Sequence, residues 1–259
     1  MTTNHQIKQS EYWDTVLDPQ NLSSGFNQDF DLSTELEFYQ TPAKQYAYKQ
    51  MGELKNKQVL EIGCGMGMNA ILLTQKGAKV TAIDISQKRL DWVARLFKDK
   101  DINPVTLLRV NGEQLPFRDN SFDIVYTNAV LIHMDKLNAA QEVYRVLKPG
   151  GMAIFVEPLQ YHPLVNLYRY TFGPKIWRII ASYFSFRDIR NIGQCFDKFD
   201  HREFYLFSFL SFYWEFGNRN LIKFKKSLSR WEKIDKFLFK IFPFLKRLSW
   251  FTVFSGYKK

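Results

Sequence analysis

The chain has 259 residues, 46% of them hydrophobic and 17% aromatic, with 36 Lys and Arg against 26 Asp and Glu. That length suits one α/β domain with additions, and the apolar share is enough for a sizeable core. No run of about eighteen uncharged apolar residues occurs, which argues against a spanning helix.

The first residues, "MTTNHQIKQSEYWD", are polar and lack the apolar centre of a signal peptide. Cys64 and Cys195 are the two cysteines, and their spacing is not that of a metal site. This fits a reducing, cytoplasmic compartment and argues against a disulfide framework or a zinc site. Charge is uneven. Residues 1–157 carry 17 basic and 19 acidic side chains; residues 158–259 carry 19 and 7, a net of +12, with 28 of the 43 aromatics. A basic, aromatic surface can meet nucleic acid, an anionic membrane face, or an acidic or apolar substrate. A solvated basic exterior over an aromatic core explains the same composition.

Residues 1–35 are polar apart from Tyr12 and Trp13, and a helix is expected around Leu36–Met51. Regular alternation follows. Val59–Ile62 reads as a short buried strand, Asn69–Lys76 as a helix stopped by Gly77, and Lys79–Asp84 as a second strand ending in an acid. Gln87–Lys98 reads as a helix and Val105–Val110 as a third strand. Phe122–Thr127 is a fourth strand, Leu137–Leu147 a helix closed by "KPGG", and Met152–Val156 a fifth strand. Strands alternating with helices imply βαβ units, a parallel sheet and right-handed crossovers. Ligands of such sheets bind beyond the C-terminal strand ends near the switch point. After residue 158 the pattern weakens. A turn and helix are expected near Tyr161, a strand over Phe199–Leu210, a helix over Trp231–Leu248 kinked or ended by Pro243, and a strand over Trp250–Tyr257.

The first strand runs into "VLEIGCGMGMNAILL". A dinucleotide fingerprint needs glycine where Met68 stands, and Glu61 before the loop would repel a pyrophosphate. An acid beside a tight glycine turn suits a cationic ligand better. Asp84, at the end of the second strand, can accept from two ribose hydroxyls, or it can cap the next helix in competition with Ser86.

Glu61 with Gly63, Gly65 and Gly67 resembles the first motif of class I S-adenosylmethionine (SAM) methyltransferases. "NGEQLPFRDNSFDIVYTNAVLIHM" followed by "EVYRVLKPGG" resembles that family from its third strand to its fifth. The resemblance covers roughly residues 59–158 and points to the methyltransferase type 11 branch. It implies an α/β, Rossmann-like, seven-stranded sheet, mostly parallel with the last strand antiparallel. It also implies helices on both faces and an aromatic helical lid in the C-terminal part. The expected division is a helical cap over 1–52, the SAM-binding core over 53–158, and an acceptor lid with the last two strands over 159–259.

The resemblance further implies a SAM site of Glu61, Gly63, Cys64, Gly65, Gly67, Asp84 and Ile85, with S-adenosylhomocysteine as product and no metal. Asn111 stands where the family has an acid facing the adenine amino group, and its side-chain oxygen can still accept. Gly112 and Glu113 would offer a backbone N–H to the ring. Asn128 and Ala129 would hold the methionine part through backbone groups. Tyr12 and Trp13 resemble an N-terminal segment that covers the cofactor. Cys64 reads as a small packed residue rather than a nucleophile.

A methyl transfer needs a general base only where the acceptor must lose a proton. His133 is the leading candidate, and a polar lid residue packed over the cofactor is the alternative for the same position. Tyr161 and His162 could reach the acceptor or form a surface turn. Glu157 could bind an acceptor hydroxyl or cap a neighbouring loop. "PLVNLYR" and "SFRDIRNIGQCF" look similar to the tail of bacterial small-molecule methyltransferases. They favour a small-molecule or lipid-like acceptor, with O-methylation ahead of N- or C-methylation. "FLFKIFPFLKR" could lie at an anionic membrane face or pack as an ordinary amphipathic helix. A nucleic-acid acceptor read by the basic part, or a non-catalytic SAM-fold binding protein, are the other readings.

Overall fold

A computed structural model describes residues 10–15, 31–102 and 105–259. Residues 10–15 form a first helix, α1. Helix α2 (Leu32–Tyr39) starts at Asp31, whose carboxylate accepts from the amides of Ser33 and Thr34. Helix α3 (Pro42–Met51) has proline in its first turn, where a missing N–H costs nothing. The sheet then begins: β1 (Gln58–Ile62), α4 (Met68–Gln75), β2 (Lys79–Asp84), α5 (Gln87–Asp99), β3 (Thr106–Arg109), β4 (Phe122–Asn128), α6 (Lys136–Val146) and β5 (Leu147–Pro158). Helices α7 (Pro163–Thr171), α8 (Trp177–Ile180) and α9 (Phe186–Gly193) lead to β6 (Lys198–Phe204). Helices α10 (Tyr213–Phe216) and α11 (Leu221–Ile241) precede β7 (Phe251–Tyr257).

The seven strands lie in the order β3-β2-β1-β4-β5-β7-β6. β1 pairs in parallel with β2 and β4, and β7 runs antiparallel to both β5 and β6. The chain winds outward from β1 to β3, then returns to β4 on the other side of β1. That reversal opens a crevice above the ends of β1 and β4. Each strand supplies both faces. Val59 joins the core under α3, α4 and α5, and Leu60 and Ile62 join the core under α6 and α9.

The sheet, its mostly parallel order and its antiparallel last strand are as expected from the sequence. Four elements differ. The helix expected around Leu36–Met51 is two, α2 and α3, broken ahead of Pro42, and "KPGG" lies inside β5 rather than between the helix and the strand. The expected strand over Phe199–Leu210 ends at Phe204, because Tyr205 turns the chain at φ +67°. Buried Asp235 then collects the amides of Leu206, Phe207 and Ser208. The helix expected over Trp231–Leu248 starts earlier, at Leu221 after the Asn220 cap, and ends at Ile241. Pro243 opens a separate 3-10 turn over Pro243–Leu248.

Candidate functional site

A cleft of about 300 Å³ lies above the ends of β1, β2 and β4. Gly63, Cys64, Gly65, Asp84, Ile85, Asn111, Gly112, Asn128, Ala129 and His133 line it, so the fold gathers most residues singled out in the sequence.

The glycine loop holds one wall. Gly63 and Cys64 donate to the Ile83 carbonyl at 2.8 and 3.0 Å, tying the loop to β2. Gly63 has φ +71°, and a Cβ there would lie 2.2 Å from Val130. Only glycine admits that backbone and that approach. Gly67 does not line the cleft. It starts α4 in a left-handed conformation, φ +83°, against Val93.

Asp84 sits below the loop. Its Oδ2 accepts from the Gly65 amide at 3.0 Å and its Oδ1 from the Ser86 amide at 2.9 Å. Burial raises its pKa; the Arg89 guanidinium, 4.0 Å away, and the two amides pull it back. Ser86, not Asp84, caps α5.

Glu61 is buried behind the loop rather than in the cleft lining, beside Asn69 and Ala70. Burial pushes its carboxyl up to about 8.

On the opposite wall the Asn111 side-chain oxygen accepts from the Glu113 amide at 3.0 Å. That amide is thereby turned inward. Glu113 does not line the cleft, and its carboxylate accepts from Asp135 instead. Asn128 donates to the Tyr39 hydroxyl at 3.4 Å, and its Oδ1 is buried without a partner among the described residues. Ala129 is left-handed at φ +56° and is fixed by its amide to Val156.

His133 donates from Nδ1 to the Ile180 carbonyl at 2.8 Å, since a carbonyl can only accept. That choice of tautomer makes Nε2 the basic atom of the neutral ring. Trp13 meets the ring edge-on at 5.3 Å and lies under Arg89 at 4.2 Å. Trp13 lines the cleft; Tyr12 does not, and its hydroxyl accepts from Trp177.

The two residues after β5 fall outside this lining. Tyr161 is exposed. His162 is buried as the cap of α7, with Nδ1 accepting from Val165 and Nε2 donating to Leu206. Burial lowers its pKa, which keeps the ring neutral. Glu157 takes the loop-capping role: one oxygen accepts from Thr127, Val130 and Leu131, and burial pushes the carboxyl up to about 7.

Sequence reasoning missed Tyr39, Asn69 and Arg89, all in the lining. Asn69 accepts from Tyr48 at 2.8 Å and Tyr126 at 3.3 Å. A polar residue in the first turn after a glycine loop was the available signal. Tyr39 belongs to a helix remote in sequence and left none. Among the described residues no group of three or more His, Cys, Asp or Glu is placed to hold a metal ion.

The family described as "Methyltransferase domain" matches residues 60–155. A demethylmenaquinone methyltransferase of Lactococcus lactis is 31% identical over 128 residues, 48% of this chain and 50% of that protein. One of Staphylococcus aureus is 37% identical over 118 residues, 43% and 47% of the two chains. The chain thus spans about half the length of the curated relatives it matches. A geranyl diphosphate C-methyltransferase from Streptomyces coelicolor, solved with S-adenosyl-L-homocysteine, superposes with a TM-score of 0.64. It is 15% identical and covered over 100% of both chains. The [4+2]-cyclase SpnF superposes with a TM-score of 0.62 at 15% identity, over 99% of this chain and 97% of its own.

Proposed function

We propose that this chain, whose residues 60–155 are a methyltransferase domain in a fold of the class I SAM-dependent kind, moves a methyl group from SAM to a small apolar or lipid-like acceptor, with S-adenosylhomocysteine as product. The observation that carries the proposal is the junction of the left-handed glycine loop with buried Asp84 at the switch point of the sheet.

The residues present fit a cationic amino-acid nucleoside. Asn128 lines the cleft and its Oδ1 is a buried acceptor without a donor among the described residues, and Glu61 adds an acid behind the wall. Asp84 would hold the ribose hydroxyls, Asn111 and Gly112 the adenine edge, and Gly63, Gly65, Asn128 and Ala129 the methionine part. When bound, the sulfonium supplies a methyl group open to in-line attack. The protein's share is then positioning and exclusion of water. Trp13, held between Arg89 and His133 in the cleft lining, would cover the bound cofactor.

His133 Nε2 takes the proton of an acceptor hydroxyl, which favours O-methylation. The curated relatives named for demethylmenaquinone and the fold neighbour named for geranyl diphosphate support a prenylated acceptor, and the aromatic C-terminal part suits one. The excess of basic over acidic residues there supports work at an anionic membrane face.

Isothermal titration with SAM tests the cofactor: the expected result is saturable binding, and no heat at high micromolar ligand overturns the proposal. Incubation with methyl-labelled SAM and fractionated cell extract then reports the acceptor class. The likeness to a [4+2]-cyclase favours one second reading, a SAM-fold protein that does not transfer methyl groups. Release of S-adenosylhomocysteine in step with labelled product decides between the two.

A further inference from the structure

We propose that the end of α11 and the Pro243–Leu248 turn, together with the exposed side of α7, dock the protein on an anionic phospholipid bilayer. The proposal names a partner for the protein and does not depend on methyl transfer.

Ile234, Phe237 and Ile241 recur at three- and four-residue spacing on α11 and are exposed, followed by exposed Phe242 and Phe244. Phe237 is 62% and Phe244 65% exposed. Such a cluster of large apolar side chains in water marks a contact surface. Exposed Lys233, Lys240, Lys246 and Arg247 surround it, and Lys236 pairs with Glu232. No acidic residue follows Asp235 to the end of the chain.

Helix α7 repeats the chemistry. Leu164, Leu167 and Tyr168 are exposed on it, Phe172 just after it is 79% exposed, and residues 158–187 contain no acid. The two pieces share a support. His162, the cap of α7, donates to the Leu206 carbonyl, and the Leu206 amide donates to Asp235 of α11.

Charge decides the occupant. A second copy in a two-fold dimer would set this patch against itself, lysine facing lysine, on a chain of net charge +10. Nucleic acid offers phosphates for the lysines and no apolar phase for Phe237, Phe242 and Phe244. A bilayer with anionic headgroups satisfies both. Among the described residues no helix is long and apolar enough to cross a membrane, so the contact is with the surface.

The docked face is linked to the cleft through α8. Helix α7 is followed, after residues 172–176, by α8, whose Ile180 carbonyl holds His133 and whose Trp177 holds Tyr12. A lipid-like acceptor leaving the bilayer would meet this edge first.

Co-sedimentation of the full chain with phosphatidylcholine vesicles, and with phosphatidylcholine–phosphatidylglycerol vesicles, tests the proposal. Pelleting is expected with the anionic vesicles only, and it should fall with added salt. Phe237→Glu and Phe244→Glu should each weaken it about tenfold or more. Lys240→Glu should weaken it at least about fivefold. Equal pelleting on phosphatidylcholine alone, or unchanged pelleting by all three variants, overturns it. So does a dimer in analytical ultracentrifugation that Phe244→Glu splits. The three sites are exposed, so unchanged thermal melting and SAM titration in the variants separate a failure of docking from a failure of the cofactor site.

Discussion

The Gly65 amide donates to Asp84 Oδ2 at 3.0 Å, so the glycine loop after β1 rests on the acid that ends β2. Asp84 therefore has two duties: it presents a carboxylate to the cleft and holds the loop that forms the opposite edge. Asp84→Ala would remove both. It strands the Gly65 and Ser86 amides, a loss of about 1–3 kcal/mol in stability. It should also weaken SAM by at least about a hundredfold, as expected for two hydrogen bonds to a charged acceptor. Titration calorimetry and urea unfolding measure the two losses separately. Parent-like SAM affinity in this variant would show that the nucleoside does not lie on Asp84.

Gly63→Ala tests the loop from the other side. Its Cβ would lie 2.2 Å from Val130 Cγ2, at φ +71°. The left-handed backbone costs an alanine about 1–2 kcal/mol, and the collision adds to it. Gly63→Ala alone should lower stability by more than about 2 kcal/mol and abolish SAM binding. Adding Val130→Ala removes the colliding methyls and should recover part of the stability, with the backbone cost remaining. Equal urea midpoints for the single and double variants would show that sterics at Val130 are not the cause.

Gly63, Gly65 and Asp84 were legible in the sequence because the glycines follow β1 and Asp84 ends β2, two strands whose apolar runs are unmistakable, and strand ends in a parallel sheet converge. Tyr39 was not legible, because it enters from a helix whose docking depends on packing across the sheet. Glu113 was misplaced into the lining, because its neighbour Asn111 turns the amide back on its own side chain. His162 has a ring suited to proton transfer, and only its buried bonds to Val165 and Leu206 reveal that it is a helix cap. The extent of α11 was missed at its lysine-rich start, where exposed Lys223, Lys225 and Lys226 hide the periodicity.

His133 has two roles to separate. As the base it acts on the proton of the acceptor; as a lid it acts only through Trp13 and the cofactor. A base contributes on the order of 10²–10⁴ in rate. His133→Ala should therefore lower kcat by about 100-fold or more while the Km for SAM changes little. A lid residue alone would raise that Km and leave kcat near the parent. Steady-state kinetics with the acceptor saturating gives both constants, and a rise in Km alone would remove His133 from the chemistry.

Glu61 predicts a pH dependence. Burial raises its carboxyl from 4.5 to about 8, against the opposing pull of Asn69 and of Lys44, whose own pKa burial lowers to about 7. Below pH 4.5 both the folded and the unfolded chain hold the proton, and Glu61 contributes no slope. Between 4.5 and about 8 the unfolded chain releases it while the folded chain keeps it, so stability falls as pH rises, by on the order of 1 kcal/mol per pH unit. Glu61→Gln keeps the shape and cannot ionise, so its stability should fall less steeply over that window and exceed the parent's near pH 8. A bound cation beside Glu61 would favour the carboxylate, so SAM binding near neutral pH should release a proton in the parent and none in Glu61→Gln. Unfolding at pH 5.5 and 8.0 and calorimetry in buffers of different ionisation enthalpy measure the two effects. Parallel stability curves for parent and variant would mean that Glu61 is ionised in the folded chain, with Asn69, Ala70 and Lys44 outweighing its burial.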